Sequence, residues 1–224
     1  MARLLPDFKA TDRPAGRFLF LLVSLVLYLF VIPIVDEVIH LKFLLDIFFS
    51  LVLVAAVYAV SVRVMGLVIG LFLAAPMLVS VWLAHLVTLK SVTVAAQFFT
   101  IAFMAYCILV FLRFILVQKK ITPNIIYAAI VVYLLLGLMW ALLYSLMHVL
   151  EPGSFHYGEL PIGSDMIYFV YYSFITLTTL GYGDITPIAR WAVSFSALEA
   201  MTGQLYLAVL VARLVGLHIS QDTR

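Results

Sequence analysis

MIYFVYYSFITLTTLGYGDITP, residues 166–187, is the stretch that decides the fold. Its first thirteen residues are apolar enough for a helix. They are too few to cross a hydrocarbon core roughly 30 Å thick, which takes about 20. From Thr176 to Pro187 the chain then reads TLTTLGYGDITP, with two glycines and an aspartate that no membrane helix wants. A helix that stops halfway and continues as irregular backbone is tolerated in a bilayer only where protein or water satisfies its carbonyls. The spacing predicts a short helix over 166–178, with Ser164 and Asp165 offering its N-cap. The C-terminal end of that helix aims a partial negative charge at the middle of the membrane, which favours a cation there.

The rest of the sequence supplies the membrane. Of 224 residues, 66% are hydrophobic and 11% charged, against roughly 45–50% and about 25% in soluble domains. Such a chain is expected to be polytopic. The net charge of +2 is spread without a basic domain, so no nucleic-acid partner is expected. The lone Cys107 excludes an intrachain disulfide. Apolar runs of span length fall near 18–35, 43–62, 64–89, 94–117, 124–149 and 188–217. The first has no small-residue cleavage site after it and reads as a retained anchor. Pro76 is expected to kink the third. With the N-terminus inside, all 13 Lys and Arg except Lys42, Lys90 and Arg190 lie on the cytoplasmic side. Both termini are therefore expected in the cytoplasm of a multi-pass plasma-membrane protein. The expected organisation is a cytoplasmic N-terminus (1–17), a four-helix membrane module (18–117) and a second membrane domain (118–224). The fold class is all-α, with six transmembrane helices and one re-entrant helix. Only a few residues follow the sixth span, so no soluble gating domain is expected within this sequence.

EPGSFHYGELPIGSD, residues 151–165, is rich in glycine and proline and reads as an outer loop before the short helix. The glycines after the helix also have a physical reason. Consecutive carbonyls can line a narrow pore only if the backbone alternates between left- and right-handed dihedrals, which glycine does without a Cβ clash. Gly181 and Gly183 alternate with Leu180 and Tyr182, whose side chains would then point outward. The Thr179 hydroxyl adds an oxygen at the inner end. Four copies around one axis would replace the water shell of a dehydrated ion.

TTLGYGD closely resembles the selectivity-filter signature of tetrameric potassium channels, Thr-x-Gly-Tyr-Gly. The resemblance extends over about residues 124–217, from outer helix to inner helix. It implies a homotetramer that conducts K+ passively, with no cofactor beyond the ions. It implies that Thr179, Leu180, Gly181, Tyr182 and Gly183 form the ion-binding filter. Tyr171, Tyr172, Thr178 and Asp184 would support it, with the two tyrosines in the family's aromatic cuff. Gly203, nineteen residues after Asp184, matches the family's hinge glycine. Leu180 stands in place of the commoner valine. Ile175 stands where some members carry a glutamate paired with the filter aspartate.

The remaining polar residues narrow the function. Voltage sensing needs several basic residues at every third position of the fourth span, each worth about 2.3 kcal/mol per 100 mV. Residues 94–117 contain only Arg113, so intrinsic voltage gating is not expected. Glu199, near the middle of the sixth span, is a gating candidate together with Gly203. The expected partners of its carboxyl are pore-helix or neighbouring-subunit groups such as Thr176 or Tyr172, and its protonation could set a gate. The other reading is a structural glutamate joining the inner and pore helices. His85 lacks neighbours for a metal site, and His148 and His156 have no evident partner. The basic N-terminus with Lys119 and Lys120 makes anionic lipid a candidate partner. A potassium transporter subunit or a non-selective cation channel is the alternative. An intramembrane enzyme would need a nucleophile or metal cluster, and none is evident.

Overall fold

The computed structural model describes residues 16–38, 52, 55–56, 64–83, 90–158 and 166–222. Among these, six α-helices dominate. They are α1 (Arg17–Val38), α2 (Val64–Leu83), α3 (Lys90–Val117), α4 (Pro123–Leu150), α5 (Met166–Leu177) and α6 (Arg190–Asp222). Two short strands, β1 (Phe155–His156) and β2 (Thr186–Pro187), flank α5. Among the described residues α3, α4 and α6 are long and apolar enough to cross a membrane. At 1.5 Å per residue the 28-residue α3 and α4 each reach about 42 Å. The expected first and third spans coincide with α1 and α2, whose apolar stretches are Arg17–Phe30 and Gly70–Val79. Of the expected second span, Val52, Ala55 and Ala56 are helical and buried. Its other residues, Asp46 included, lie outside the described residues, as do His85 near the end of the expected third span, residues 1–15 and the expected cap at Ser164 and Asp165. Helix α2 continues through Pro76.

The chain divides into two compact units, residues 1–134 with 217–224, and residues 135–216. The division falls inside α4 and α6 rather than at a loop. In the first unit α2 packs along α3. Helix α3 turns Ala96, Thr100, Phe103, Cys107, Phe111 and Phe114 inward, the three- and four-residue spacing of one helical face. Thr100 satisfies its own hydroxyl by donating to the Ala96 carbonyl at 2.8 Å. Phe18 at the start of α1 is buried against α3. Its ring meets Phe111 edge-on at 5.2 Å and stacks on Phe114 at 5.0 Å, geometries favoured by the ring quadrupole.

The second unit is built around α5, whose 12 residues extend about 18 Å, roughly half a membrane. An aromatic cluster surrounds it. Tyr144 from α4 lies 5.5 Å from Phe155 and 5.1 Å from Tyr172, and Phe169 lies 5.6 Å from Phe155. The strands clamp the two ends of the loop region together, pairing Phe155 with Pro187 and His156 with Thr186. The amides of Ile188 and Ala189 both donate to the Ser154 carbonyl, and Trp191 Nε1 donates to Glu151 Oε2 at 2.6 Å. Helix α5 approaches α4 at Gly137, where an added Cβ would lie 2.7 Å from the Phe174 ring. Replacing Gly137 by Leu therefore forces the Phe174 ring aside. The expected cost is about 1–3 kcal/mol, read as earlier thermal aggregation of the detergent-solubilised protein, with Gly137→Ala less affected.

Candidate functional site

Where α5 ends, its last carbonyls need donors, and the following segment provides them. The amide of Thr178 donates to the Phe174 carbonyl at 3.1 Å, and that of Thr179 to Thr176 at 2.9 Å. The amides of Leu180 and Gly181 both reach the Ile175 carbonyl, at 2.8 and 3.0 Å. Four consecutive N–H groups are thus turned back onto the helix. The carbonyls of 179–183 accept no backbone hydrogen bond among the described residues. Positive φ recurs at every second residue: Thr179 at 60°, Gly181 at 53° and Gly183 at 79°. This is the alternation expected from the glycine spacing, and it extends one step further, onto a threonine. A β-branched residue in the left-handed region costs roughly 1–2 kcal/mol, and such strain concentrates at functional sites. Leu180 and Tyr182 are exposed, as are Thr178, Thr179, Gly181 and Gly183.

Beyond the glycines the backbone is fixed again at Asp184. The Tyr171 hydroxyl donates to Asp184 Oδ2 at 2.5 Å. The Ile185 amide donates to Asp184 Oδ1 at 3.0 Å. The outer loop reaches the same point through Gly158, where an added Cβ would lie 3.0 Å from the Asp184 carbonyl oxygen. A tyrosine one turn before Ile175 thus provides the aspartate's donor from α5. Tyr172, the expected second member of the cuff, points elsewhere: its hydroxyl is 2.7 Å from Ser196 Oγ on α6. His148, which had no evident partner, has one: its Nδ1 lies 3.4 Å from the Tyr157 hydroxyl. Burial pushes Tyr157 up to about 12.

Helix α6 closes the inner side. Gly203 is buried beneath the end of α5, and an added Cβ would overlap the Leu177 carbonyl oxygen. One residue on, Gln204 Nε2 donates to the Thr179 hydroxyl at 3.2 Å. Glu199 is fully buried, and its partners are not Thr176 or Tyr172. Tyr144 donates to Glu199 Oε2 at 2.6 Å, and Ser173 Oγ lies 2.5 Å from Glu199 Oε1. Tyr144, Ser173 and Gln204 were not singled out as partners from the sequence. The signal available was a lone hydroxyl, Ser173, on an otherwise apolar face of α5. Tyr144 looks like any other aromatic of a membrane helix. Among the described residues no group of three or more His, Cys, Asp or Glu could hold a metal ion.

Because the atom that would meet a Cβ at Gly203 is backbone, no side-chain rotation relieves the overlap. Gly203→Ala is expected to destabilise the second unit by at least about 1–3 kcal/mol. Thermal aggregation in detergent measures this, with Gly216→Ala, where nothing lies within 4 Å of the added carbon, as the unaffected control.

Residues 125–218 match the model of a family described as ion channel. The match begins in α4, includes α5, the glycine-broken segment and both strands, and ends in α6. No curated protein and no solved structure matches the chain. This stretch of the chain is thus similar to an ion-channel domain, and among the described residues its two long helices are apolar enough to cross a membrane.

Proposed function

We propose that the protein is a homotetrameric potassium-selective channel that conducts K+ passively and is not intrinsically voltage-gated. Each subunit contributes six transmembrane helices and one re-entrant loop, with both termini in the cytoplasm of the plasma membrane. In this reading Thr179, Leu180, Gly181 and Tyr182 present carbonyls to the ions, and the Thr179 hydroxyl forms the innermost ring.

One observation carries the reading. Backbone handedness alternates at Thr179, Gly181 and Gly183 while the preceding amides are held by α5. Carbonyls without backbone donors in the middle of a membrane need another positive partner, and a dehydrated cation is one. A single segment offers too few oxygens to enclose an ion, so the reading requires four chains. The inner helix agrees with that requirement. Of the most apolar 18 residues of α6, 6% are buried, against 61% for α4. Met201, Leu205 and Val209 are among its exposed side chains. Absence of voltage gating rests on the sequence of α3, where Arg113 is the only basic residue past Lys90.

Liposome flux tests the filter. Wild type should load K+ in strong preference to Na+. Gly181→Ala places a side chain on a left-handed residue at a cost of about 1–2 kcal/mol in each chain, and should lower that preference at least about tenfold. An unchanged preference in Gly181→Ala would remove the filter assignment. Light scattering of the detergent-solubilised protein should return the mass of four chains, and a monomer or dimer would exclude the proposed pore.

A further inference from the structure

Glu199, Ser173 and Tyr144 are buried together, one each from α6, α5 and α4. The Ser173 hydroxyl has two oxygen neighbours, the Gly137 carbonyl at 2.7 Å and Glu199 Oε1 at 2.5 Å. A serine hydroxyl owns one proton and accepts on its lone pairs, whereas a backbone carbonyl can only accept. The contact with Gly137 therefore takes the serine proton. The contact with Glu199 then joins a serine lone pair to a carboxyl oxygen, at the short end of the O–H···O range. It is a hydrogen bond only if the proton belongs to Glu199. With Glu199 ionised, one of the two contacts would set bare acceptors against each other.

We infer that Glu199 is held as a neutral carboxylic acid whose O–H donates to Ser173, making it the positioning residue that locks α5 between α4 and α6. The donors then run in one direction, from the Tyr144 hydroxyl to Glu199, from Glu199 to Ser173, and from Ser173 to the Gly137 carbonyl. Every polar atom along this line is paired. The surroundings agree. The titratable groups beside Glu199 are Tyr144 on α4 and Tyr172 on α5, and the Tyr172 hydroxyl is engaged by Ser196 of α6. Among the described residues no Lys, Arg or His makes an ion pair with Glu199. Ser173 lies two residues before Ile175, the carbonyl that holds the amides of Leu180 and Gly181. The lock therefore sets the position of the helix end on which the glycine-broken segment hangs. Its effect on conduction rests on the filter reading above, while the protonation state does not.

The discriminating variant is Glu199→Gln, because the amide carries a donor and an acceptor where the neutral acid has them. Full-length wild type, Glu199→Gln, Glu199→Met and Ser173→Ala are reconstituted in liposomes for K+ and Na+ flux. Infrared spectra at neutral pH and elution in size-exclusion chromatography accompany the flux. The wild type should show the carbonyl stretch of a protonated carboxyl that Glu199→Gln lacks. Glu199→Gln should keep flux and K+ preference within about twofold of wild type. Glu199→Met and Ser173→Ala, which leave buried groups unpaired, should lose about tenfold in one or both. Should Glu199→Met fail to assemble, Ser173→Ala and the infrared band still decide. Glu199→Gln falling as far as Ser173→Ala, or no band distinguishing it from wild type, overturns the inference. If the wild type shows the band yet passes no K+-selective flux, the filter reading fails and the neutral acid stands, with the lock then read from assembly.

Discussion

The structure depends on how the backbone polar groups at the end of α5 are satisfied. A helix that ends without a following partner leaves its last carbonyls in need of donors. Here the amides of Thr178, Thr179, Leu180 and Gly181 fold back to fill that need. Turning those N–H groups inward commits the next carbonyls to the opposite side. Left-handed residues at Thr179, Gly181 and Gly183 are the local means of keeping the chain moving forward while this occurs. The conformation of the glycine-broken segment is thus in part a consequence of capping, whatever it presents on its other side.

Such a segment needs fixed ends. Its outer end is held by Tyr171 on Asp184 and by the two-strand clamp between residues 155–156 and 186–187. Its inner end is held by close approaches that only glycine permits, Gly203 beneath the Leu177 carbonyl and Gly137 beside the Phe174 ring. The aromatic cluster of Tyr144, Phe155, Phe169 and Tyr172 fills the space between them. Glu199 is hydrogen-bonded to both Tyr144 and Ser173 within the same cluster. Polar and apolar packing therefore act on one element, α5, from three sides. A membrane interior rewards this arrangement, since helix association there draws on close packing and hydrogen bonds more than on hydrophobic burial.

Much of the fold was legible. The half-length helix was expected over 166–178 and runs 166–177. The runs near 94–117 and 124–149 became α3 and α4 with boundaries shifted by a few residues. These elements follow from local apolar length, which a sequence displays directly. The site was legible where backbone conformation was at stake, because glycine at alternating positions has few other uses. It was less legible where partners come from distant elements. Glu199 was visible as a buried carboxyl, but its partners were placed on Thr176 or Tyr172 rather than Ser173 and Tyr144. Thr176, Tyr172 and Ser173 are neighbours on one short helix, and only the rotation of α5 against α6 selects among them. Tyr144 is 55 residues from Glu199, and nothing local distinguishes it from other membrane tyrosines.

By itself the sequence determined a helical membrane chain, the place where its one short helix stops, and the residues at which the backbone can turn left-handed. Those are consequences of apolar length and of glycine's missing Cβ, both properties of neighbouring residues. Only the tertiary structure decided that Tyr171 rather than Tyr172 serves Asp184, that Gly203 lies against a helix end, and that Ser173 lies between the Gly137 carbonyl and Glu199. Each of these depends on the rotation and approach of helices far apart in sequence, set by packing that no local pattern records.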